Sequence, residues 1–269
     1  MKRKSRFVKI VGTLGFVFLY APIISLIIFS FNKSKLVTVW GGFSTKWYGE
    51  LFKDPQILNA AWLSLKVAFI SASIAIVIGT IAAFALVRFG KFRSRSLLTG
   101  MITAPLVMPE VITGLSLLLF FVALQQLIGW PAGRGVTTII IAHSTFGAAY
   151  AAVVVQSRLV DLDLSIEEAA LDLGARPVRV FFDITLPIIS PALVSSWLLA
   201  FTLSLDDLVI ASFVSGPGSS TLPMVIFSKV RLGVSPDINA LATIIILIVS
   251  VGIIAAALIL QRQDKNKIS

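Results

Sequence analysis

The segment Ser165–Pro187 reads SIEEAALDLGARPVRVFFDITLP and lies between two strongly apolar stretches of the chain. Six of the 13 acidic residues lie in it or beside it: Asp161, Asp163, Glu167, Glu168, Asp172 and Asp183. Because the surrounding sequence is apolar, a charged hairpin between two membrane spans indicates contact with something soluble. We therefore interpret residues 161–187 as a docking hairpin.

The first half of the hairpin has the pattern of a short helix. Ser165 and Glu168 have the spacing of a capping box, in which each side chain bonds the backbone N–H of the other residue. Apolar residues then recur at helical spacing on one stripe: Ile166, Ala169, Ala170 and Leu173. The residues alone leave open whether this stripe packs on the protein's own spans or faces an external partner.

The second half of the hairpin predicts a turn and another short helix. Gly174 stands where a helix end needs a left-handed residue. Pro177 suits the first turn of a second helix over Val178–Thr185. Pro187 marks the entry to the next apolar stretch.

The composition of the chain is that of an integral membrane protein. Its 269 residues are 57% hydrophobic and have a mean hydropathy of +0.96, which would leave a soluble domain with large apolar patches in water. Apolar runs of about 20 residues match a helix that crosses a bilayer. We predict an all-α transmembrane domain over residues 1–269, with spans at about residues 10–31, 60–87, 97–124, 136–157, 188–214 and 238–260.

The charge distribution indicates membrane topology rather than nucleic-acid binding. The net charge is +10, but the basic residues cluster at the ends of the predicted spans. This bias places both termini and the docking hairpin in the cytoplasm. The first apolar run is too long for a cleaved signal peptide, so we predict an uncleaved first span of a multi-pass membrane protein. The chain contains no cysteine, which excludes disulfides and thiolate metal sites.

Two predicted spans contain unusual residues. Pro105 and Pro109 are expected to kink the third span, and Glu110 adds a carboxylate, which is unfavourable inside a bilayer. The fifth span contains the pair Asp206 and Asp207. Outside the spans, the aromatic residues Trp40, Trp47 and Tyr48 are expected to anchor the outer segment at the membrane interface.

The hairpin resembles the EAA motif of inner-membrane subunits of ABC importers. The residues that match the motif, at its full spacing, are Glu168, Ala169, Ala170, Gly174, Ile184, Leu186 and Pro187. Four further stretches resemble the permease subunits of spermidine/putrescine-type ABC importers: Phe31–Leu51, Met101–Leu119, Phe201–Gly218 and Ser235–Thr243. Trp40 and its surroundings, together with GWPAGRG at Gly129–Gly135, are most similar to the putrescine system.

This resemblance implies a type I ABC importer permease with the MetI-like fold, located in the bacterial inner membrane. Such a subunit forms half of a translocation pathway that works by alternating access. The implied partners are a homologous permease, an ATPase dimer on the cytoplasmic side and a periplasmic polyamine-binding protein, with membrane lipid around the spans. The resemblance also implies that the helix containing Glu168 couples the pathway to the ATPase.

The chain itself lacks the residues of an ATP site. Gly90-Lys91 has neither the upstream glycine nor the following Ser or Thr of a phosphate-binding loop. We therefore expect no cofactor in this chain, with ATP and Mg²⁺ bound by the partner ATPase. No spacing in the sequence indicates a metal site or a nucleophile–base pair, so an enzyme is not favoured.

A polyamine pathway needs acceptors that bind a cation without holding it too tightly. Ser195, Thr202 and Asp206 share one helical face and are the candidate pore lining, with Asp207 and Glu110 as further candidates. Asp207 points about 100° away from Asp206, which favours contact with a neighbouring helix or subunit.

The polar residues of the spans also allow purely structural pairings. Glu110 could pair with His143, and Lys66 with Asp206. Two other functions stay open at this point: a self-sufficient cation channel or secondary carrier, and an ABC permease for a different small solute.

Overall fold

The computed structural model describes residues 2–36, 39–233 and 236–251. Over these residues the fold is all-α, as predicted, apart from one isolated bridge between Asn32 and Phe43. The helices are α1 (Lys2–Ser30), α2 (Lys46–Leu51), α3 (Pro55–Arg88), α4 (Arg95–Val107), α5 (Glu110–Ile128), α6 (Val136–Val160), α7 (Leu164–Asp172), α8 (Pro177–Val180), α9 (Leu186–Asp206), α10 (Val209–Val214), α11 (Leu222–Leu232) and α12 (Pro236–Val251). A π-helical segment, Phe181–Thr185, joins α8 to α9.

Within the described part of the chain, five helices are long and apolar enough to cross a membrane. They are Phe7–Ser30 in α1, α3, α5, α6 and the continuous helix Pro177–Asp206. The first, second and fourth predicted spans therefore correspond to α1, α3 and α6. The sixth predicted span begins in α12, and its second half lies outside the described residues.

The third predicted span is not one kinked helix but two separate helices. α4 ends at Val107, and Met108 is extended, with ψ of 136°. Pro109 explains the break, because a proline disfavours the α conformation of the preceding residue and has no N–H to donate to the turn before it. Glu110 consequently starts α5 instead of lying inside a long span.

The fifth predicted span, 188–214, is also interrupted. Its helix begins earlier, at Pro177, and ends at Asp206. Asp207 has an extended backbone with ψ of 125°, and the chain then forms the short helix α10. The expectation of one continuous span through the Asp206-Asp207 pair is therefore wrong.

The chain forms two compact units, of which the larger comprises Asn59–Val225. Its core is built around α6, whose buried face is rich in alanine and glycine. At Gly79 of α3, an added Cβ would lie 2.7 Å from the Ala151 Cβ and 2.8 Å from the Ala152 nitrogen. The absence of a side chain at Gly79 therefore lets α3 and α6 approach closely.

Apolar clusters follow one another along α6. Near its N-terminal end Ile139 packs with Val67, Phe121 and Ile210. The next clusters use Ala148 and then Val155 and Leu159. Because both ends of α6 are enclosed by neighbouring helices of this unit, α6 positions the polar groups found at each end.

The other unit contains the chain up to Leu58 and from Ile226 onward. Asn32 organises its loop: the side-chain amide donates to the carbonyl of Val39 at 2.8 Å, and its oxygen accepts from the N–H of Gly41 at 2.8 Å. Trp47 is buried and its indole N–H donates to the Asn32 carbonyl at 2.6 Å. Trp47 is therefore part of this loop's interior and not an exposed interface anchor.

A charged cluster joins three elements of the same unit. Lys229 Nζ on α11 lies 2.7 Å from Asp54 Oδ2, just before α3, and 3.3 Å from Asp237 Oδ2 on α12. The hydrogen bond from Lys229 is the main reason that the pKa of Asp54 lies below its ordinary value. Burial favours a lower pKa of Lys229, but the hydrogen bonds and charges of Asp54 and Asp237 outweigh it and raise the pKa.

Candidate functional site

The first helix of the docking hairpin starts two residues earlier than the sequence suggested. α7 begins at Leu164, and Asp163 is its N-cap. The Asp163 carboxylate accepts a hydrogen bond from the backbone N–H of Ser165 at 3.0 Å, which is the main cause of its lowered pKa. The predicted capping box of Ser165 and Glu168 is therefore wrong, because Ser165 already lies in the first turn and Glu168 is exposed.

The glycine turn after α7 is confirmed. Gly174 has a φ of +85°, a conformation that residues with a Cβ rarely adopt. The N–H of Ala175 donates to the carbonyl of Ala170 at 3.0 Å, and the N–H of Gly174 to that of Leu171 at 2.9 Å. This pair of bonds is a Schellman motif, so Gly174 ends α7 and reverses the chain.

The apolar stripe of α7 faces outward. Ile166 and Ala169 are exposed, Ala170 is half-buried, and Leu173 is 90% exposed. The alternative that this stripe packs on the protein's own spans is therefore wrong among the described residues. The stripe, with Glu168 beside it, forms an exposed surface, which we call the docking face.

The second helix of the hairpin is not separate from the following span. α8 begins with Pro177, as predicted, but continues through the π-helical segment into α9. In this segment the N–H of Leu186 bonds the carbonyl of Phe181, five residues back. The next residue, Pro187, has no N–H for a regular helical bond, and π turns commonly absorb such a defect. Ile184 and Leu186 are half-buried, whereas Pro187 is exposed.

Glu167 is buried, and the sequence reasoning did not single it out. Its Oε2 lies 2.8 Å from Arg88 Nε at the end of α3, and its Oε1 accepts hydrogen bonds from Arg88 Nη2 at 3.2 Å and Thr185 Oγ1 at 2.7 Å. Arg88 Nη1 also donates to the carbonyl of Leu159 on α6 at 3.3 Å. We call Arg88, Glu167 and Thr185 the hairpin cluster.

A second buried polar group lies toward the other ends of α6 and α9. His143 Nδ1 is 2.6 Å from Ser204 Oγ, and His143 Nε2 is 3.1 Å from Asp207 Oδ2. Asp207 also accepts hydrogen bonds from the N–H groups of Ile210 at 3.2 Å and Ala211 at 2.7 Å. We call His143, Ser204 and Asp207 the histidine cluster.

The histidine cluster brings together three polar residues whose proximity the sequence spacing did not indicate. The side chains of His143 and Asp207 are 2% and 9% exposed, and Ser204 is buried as well. Because Asp207 also caps α10, its carboxylate is engaged in holding two helix ends. The arrangement therefore stabilises the break between α9 and α10, and Asp207 contacts a neighbouring helix, as expected.

The remaining pathway candidates lie on an exposed face of α9. Ser195, Thr202 and Asp206 are all exposed, and the two hydroxyls donate to the carbonyls of Pro191 and Leu198 at 2.8 Å. Those hydroxyl oxygens can still accept a hydrogen bond. Among these residues Asp206 provides the negative charge.

The structural pairs considered for these acids do not form among the described residues. Glu110 is exposed in the first turn of α5, whereas His143 bonds Ser204 and Asp207. Lys66 lies over the ring of Trp62, with Nζ 5.9 Å from the centroid, and is not paired with Asp206. The break at Pro109 changes the depth that a continuous helix would give to Glu110.

Comparison with known proteins identifies the family. Residues 75–268 match the family described as binding-protein-dependent transport system inner membrane component. The chain belongs to this family. Two curated proteins from Escherichia coli (strain K12) are similar to this chain over most of its length. The putrescine transport system permease protein PotI is 63% identical over 95% of this chain and 91% of the relative. The spermidine/putrescine transport system permease protein PotC is 41% identical over 94% and 92%.

Solved structures of other inner membrane components share the fold. A chain of a bacterial ABC transporter involved in the import of the acidic polysaccharide alginate has a TM-score of 0.73, covering 97% of this chain and 96% of that chain. A chain of the MetNI methionine ABC transporter has a TM-score of 0.61, covering 74% and 92%. Each is 17% identical, so these likenesses concern the fold, and the expected MetI-like permease fold is confirmed.

Proposed function

We propose that the chain is the transmembrane permease subunit of an ATP-driven polyamine importer, with putrescine as the cargo. The observation that carries this proposal is the 63% identity to PotI across 95% of the chain. The aligned region spans 95% of the chain, so it extends over the spans as well as the hairpin. The lower identity of 41% to PotC favours putrescine over spermidine.

In this proposal the docking face binds a partner ATPase. The face is exposed at the end of a short helix that is capped at both termini, so it presents a fixed surface. The ATPase dimer binds ATP and Mg²⁺, a homologous permease supplies the other half of the pathway, and a periplasmic binding protein delivers the substrate. Both termini and the docking hairpin then lie in the cytoplasm.

The pathway is proposed to follow the exposed polar face of α9. A diammonium substrate carries two positive charges separated by methylene groups. Asp206 offers one carboxylate, and Thr202 and Ser195 offer acceptor oxygens about one and three turns away, respectively, along the same helix. A single acid with weak acceptors lets a cation enter and leave, as transport requires. Glu110 and Asp207 remain candidates, although Asp207 is bonded within the histidine cluster.

Reconstitution tests the proposal directly. The chain is placed in liposomes with the homologous permease and the ATPase, and radiolabelled putrescine is supplied with the binding protein. We expect uptake only when ATP is present on the ATPase side. Uptake by the chain alone, without nucleotide, would instead establish a self-sufficient channel or carrier. Stimulation of ATP hydrolysis by another solute and not by putrescine would reject the cargo assignment.

The docking face is tested by two variants of the hairpin. Gly174→Val forces a β-branched residue to a φ of +85°, and Glu168→Ala removes the exposed carboxylate of the docking face. We expect both to lower putrescine uptake and the amount of ATPase that co-purifies. Gly100→Ala on α4, where an added Cβ meets nothing within 4 Å, is the control. Normal uptake and normal co-purification in both hairpin variants would reject the docking assignment.

The pathway is tested at Asp206. Asp206→Asn keeps the size of the side chain and removes its charge, so we expect slower putrescine uptake with normal assembly and basal ATP hydrolysis. Ser212→Ala is the surface control. It removes an exposed hydroxyl of the same unit, and this hydroxyl bonds only the carbonyl of Leu208 one turn earlier. Loss of assembly in Asp206→Asn with an unchanged transport rate per complex would assign Asp206 a structural role.

A further inference from the structure

The docking helix α7 is held to the larger unit in an unusual way. Its larger apolar side chains, Leu164, Ile166 and Leu171, are 42–49% exposed, and Leu173 just after the helix is 90% exposed. Glu167 is the buried residue of α7, at 8% exposure. The apolar side chains of α7 are therefore only partly covered, and the carboxylate of Glu167 is its buried polar connection to the rest of the unit.

That carboxylate connects α7 to three long helices. Arg88 ends α3 and also donates to the Leu159 carbonyl of α6, while Thr185 precedes α9 in the same continuous helix. The side chains of Arg88 and Glu167 are each 11% exposed. A displacement of Glu167 away from this cluster would leave a carboxylate and a guanidinium nearly buried and unpaired, which is strongly unfavourable.

We propose that the hairpin cluster is the mechanical link between the docking face and the spans: Glu167, Arg88 and Thr185 are positioning residues that make α7 move together with the ends of α3, α6 and α9. This inference rests on the proposed function, because it assumes that a partner displaces α7. The neighbouring residue, Glu168, faces outward, so the two consecutive carboxylates have different roles. Glu168 belongs to the docking face, and Glu167 transmits a displacement of α7 to the spans.

The link is favoured over a hydrophobic contact by its geometry. Arg88 Nη2 donates a hydrogen bond to Glu167 Oε1 and Arg88 Nε lies 2.8 Å from Oε2, so the guanidinium reaches both oxygens of the carboxylate as a close ion pair. Thr185 Oγ1 donates to Oε1, the oxygen that also accepts from Arg88 Nη2. A packed leucine would permit sliding of α7 along α3, whereas sliding here would have to break the Arg88–Glu167 ion pair.

The first test compares two identical chemical changes. Glu167→Gln removes the buried charge, and Glu50→Gln removes an exposed charge that pairs with Lys46 within α2. Each variant is reconstituted as the full complex, and putrescine molecules transported per ATP hydrolysed are measured on purified assemblies. We expect this ratio to fall about fivefold or more in Glu167→Gln, the lower end of typical coupling between linked sites, and to stay unchanged in Glu50→Gln.

A second pair of variants covers the case in which Glu167→Gln does not assemble. Thr185→Val removes the hydroxyl at nearly constant volume, and Thr185→Ser keeps it. We expect Thr185→Val to lower the transport ratio and Thr185→Ser to retain it. A purely structural cluster would instead lower the yield of complex and leave the ratio unchanged in every variant recovered, and that result would overturn the proposal.

The design separates this inference from the proposed function. If the unmodified complex does not transport putrescine with ATP, the proposed function fails. If the unmodified complex transports normally and Thr185→Val has the same ratio as Thr185→Ser, only the mechanical link fails.

Discussion

Glu167 and Asp207 are two carboxylates of the same unit with nearly buried side chains, and they differ in the partners that they bond. Glu167 bonds an arginine, whose charge is retained at any accessible pH, and its partners belong to elements other than α7. Asp207 bonds His143 on α6, and it also caps α10, the helix that follows it.

The difference shows what each cluster is suited to do. The hairpin cluster holds one exposed helix against three others, so it can transmit a displacement between them. The histidine cluster holds the ends of α9 and α10 to α6, so it fixes a break inside the unit. A buried carboxylate next to a helix break is therefore not by itself a substrate site.

The largest expected effect comes from breaking the hairpin cluster. Arg88→Met leaves Glu167 buried without its cation, and we expect a loss of about 3–5 kcal/mol in the stability of the unit. The measurement is the midpoint of thermal unfolding in detergent. The double variant Arg88→Met with Glu167→Leu should recover most of this loss, because it leaves no unpaired charge. A double variant as unstable as the single one would contradict the ion-pair explanation.

A smaller effect is expected from the histidine cluster. Asp207→Ala removes the cap of α10 and leaves His143 Nε2 without its partner, which together destabilise by about 2 kcal/mol. Asp206→Ala is the matched neighbour, since its side chain is exposed and should change stability by about 0.5 kcal/mol or less. Thermal unfolding of the two variants side by side measures the difference, and equal losses would show that the two acids have the same role.

The smallest effect concerns the partly exposed cluster of Lys229 with Asp54 and Asp237. The pKa of Asp54 is lower in the folded protein, so its stabilising contribution is present above the ordinary carboxyl pKa and is lost as pH falls through the lowered value. The pKa of Lys229 is raised, so its contribution is lost only as pH rises through the raised value. Asp54→Asn should destabilise by about 1 kcal/mol or less at neutral pH.

A pH series of thermal unfolding checks this prediction. The difference between the unmodified chain and Asp54→Asn should shrink in acid, where Asp54 is protonated in both states. The hairpin cluster differs from this cluster in two ways: its carboxylate is paired with arginine, and its side chains are more deeply buried. A difference that grows in acid would have the wrong sign for a lowered carboxyl pKa.

Much of the fold followed from patterns that act locally. Hydropathy identified α1, α3 and α6, and Gly174 identified the end of α7, because a left-handed turn residue has few alternatives to glycine. The N-cap was misplaced because Asp163 and Ser165 are both good capping residues and the sequence does not rank them. Pro109 carried the signal for the break between α4 and α5, but it was interpreted as a kink.

The polar clusters could not be predicted, because their partners are distant in sequence. Glu167 and Arg88 are 79 residues apart, and His143 and Asp207 are 64 residues apart. The pairing of Glu110 with His143 assumed a continuous third span, in which the two residues would lie at similar depth in the membrane. Asp207 did carry a usable signal, since an aspartate before an apolar run is a typical start of a helix.

The π-helical segment Phe181–Thr185 has a consequence for the phase of the long helix. A π turn contains one residue more than an α turn, so the side chains before it are rotated by about 100° relative to an uninterrupted helix. Thr185 bonds Glu167 while Ile189 packs in the core beside α6. A chain one residue shorter here would turn the hairpin around the axis of α9 and could not keep both contacts. The length of this segment therefore fixes the direction in which the docking face points.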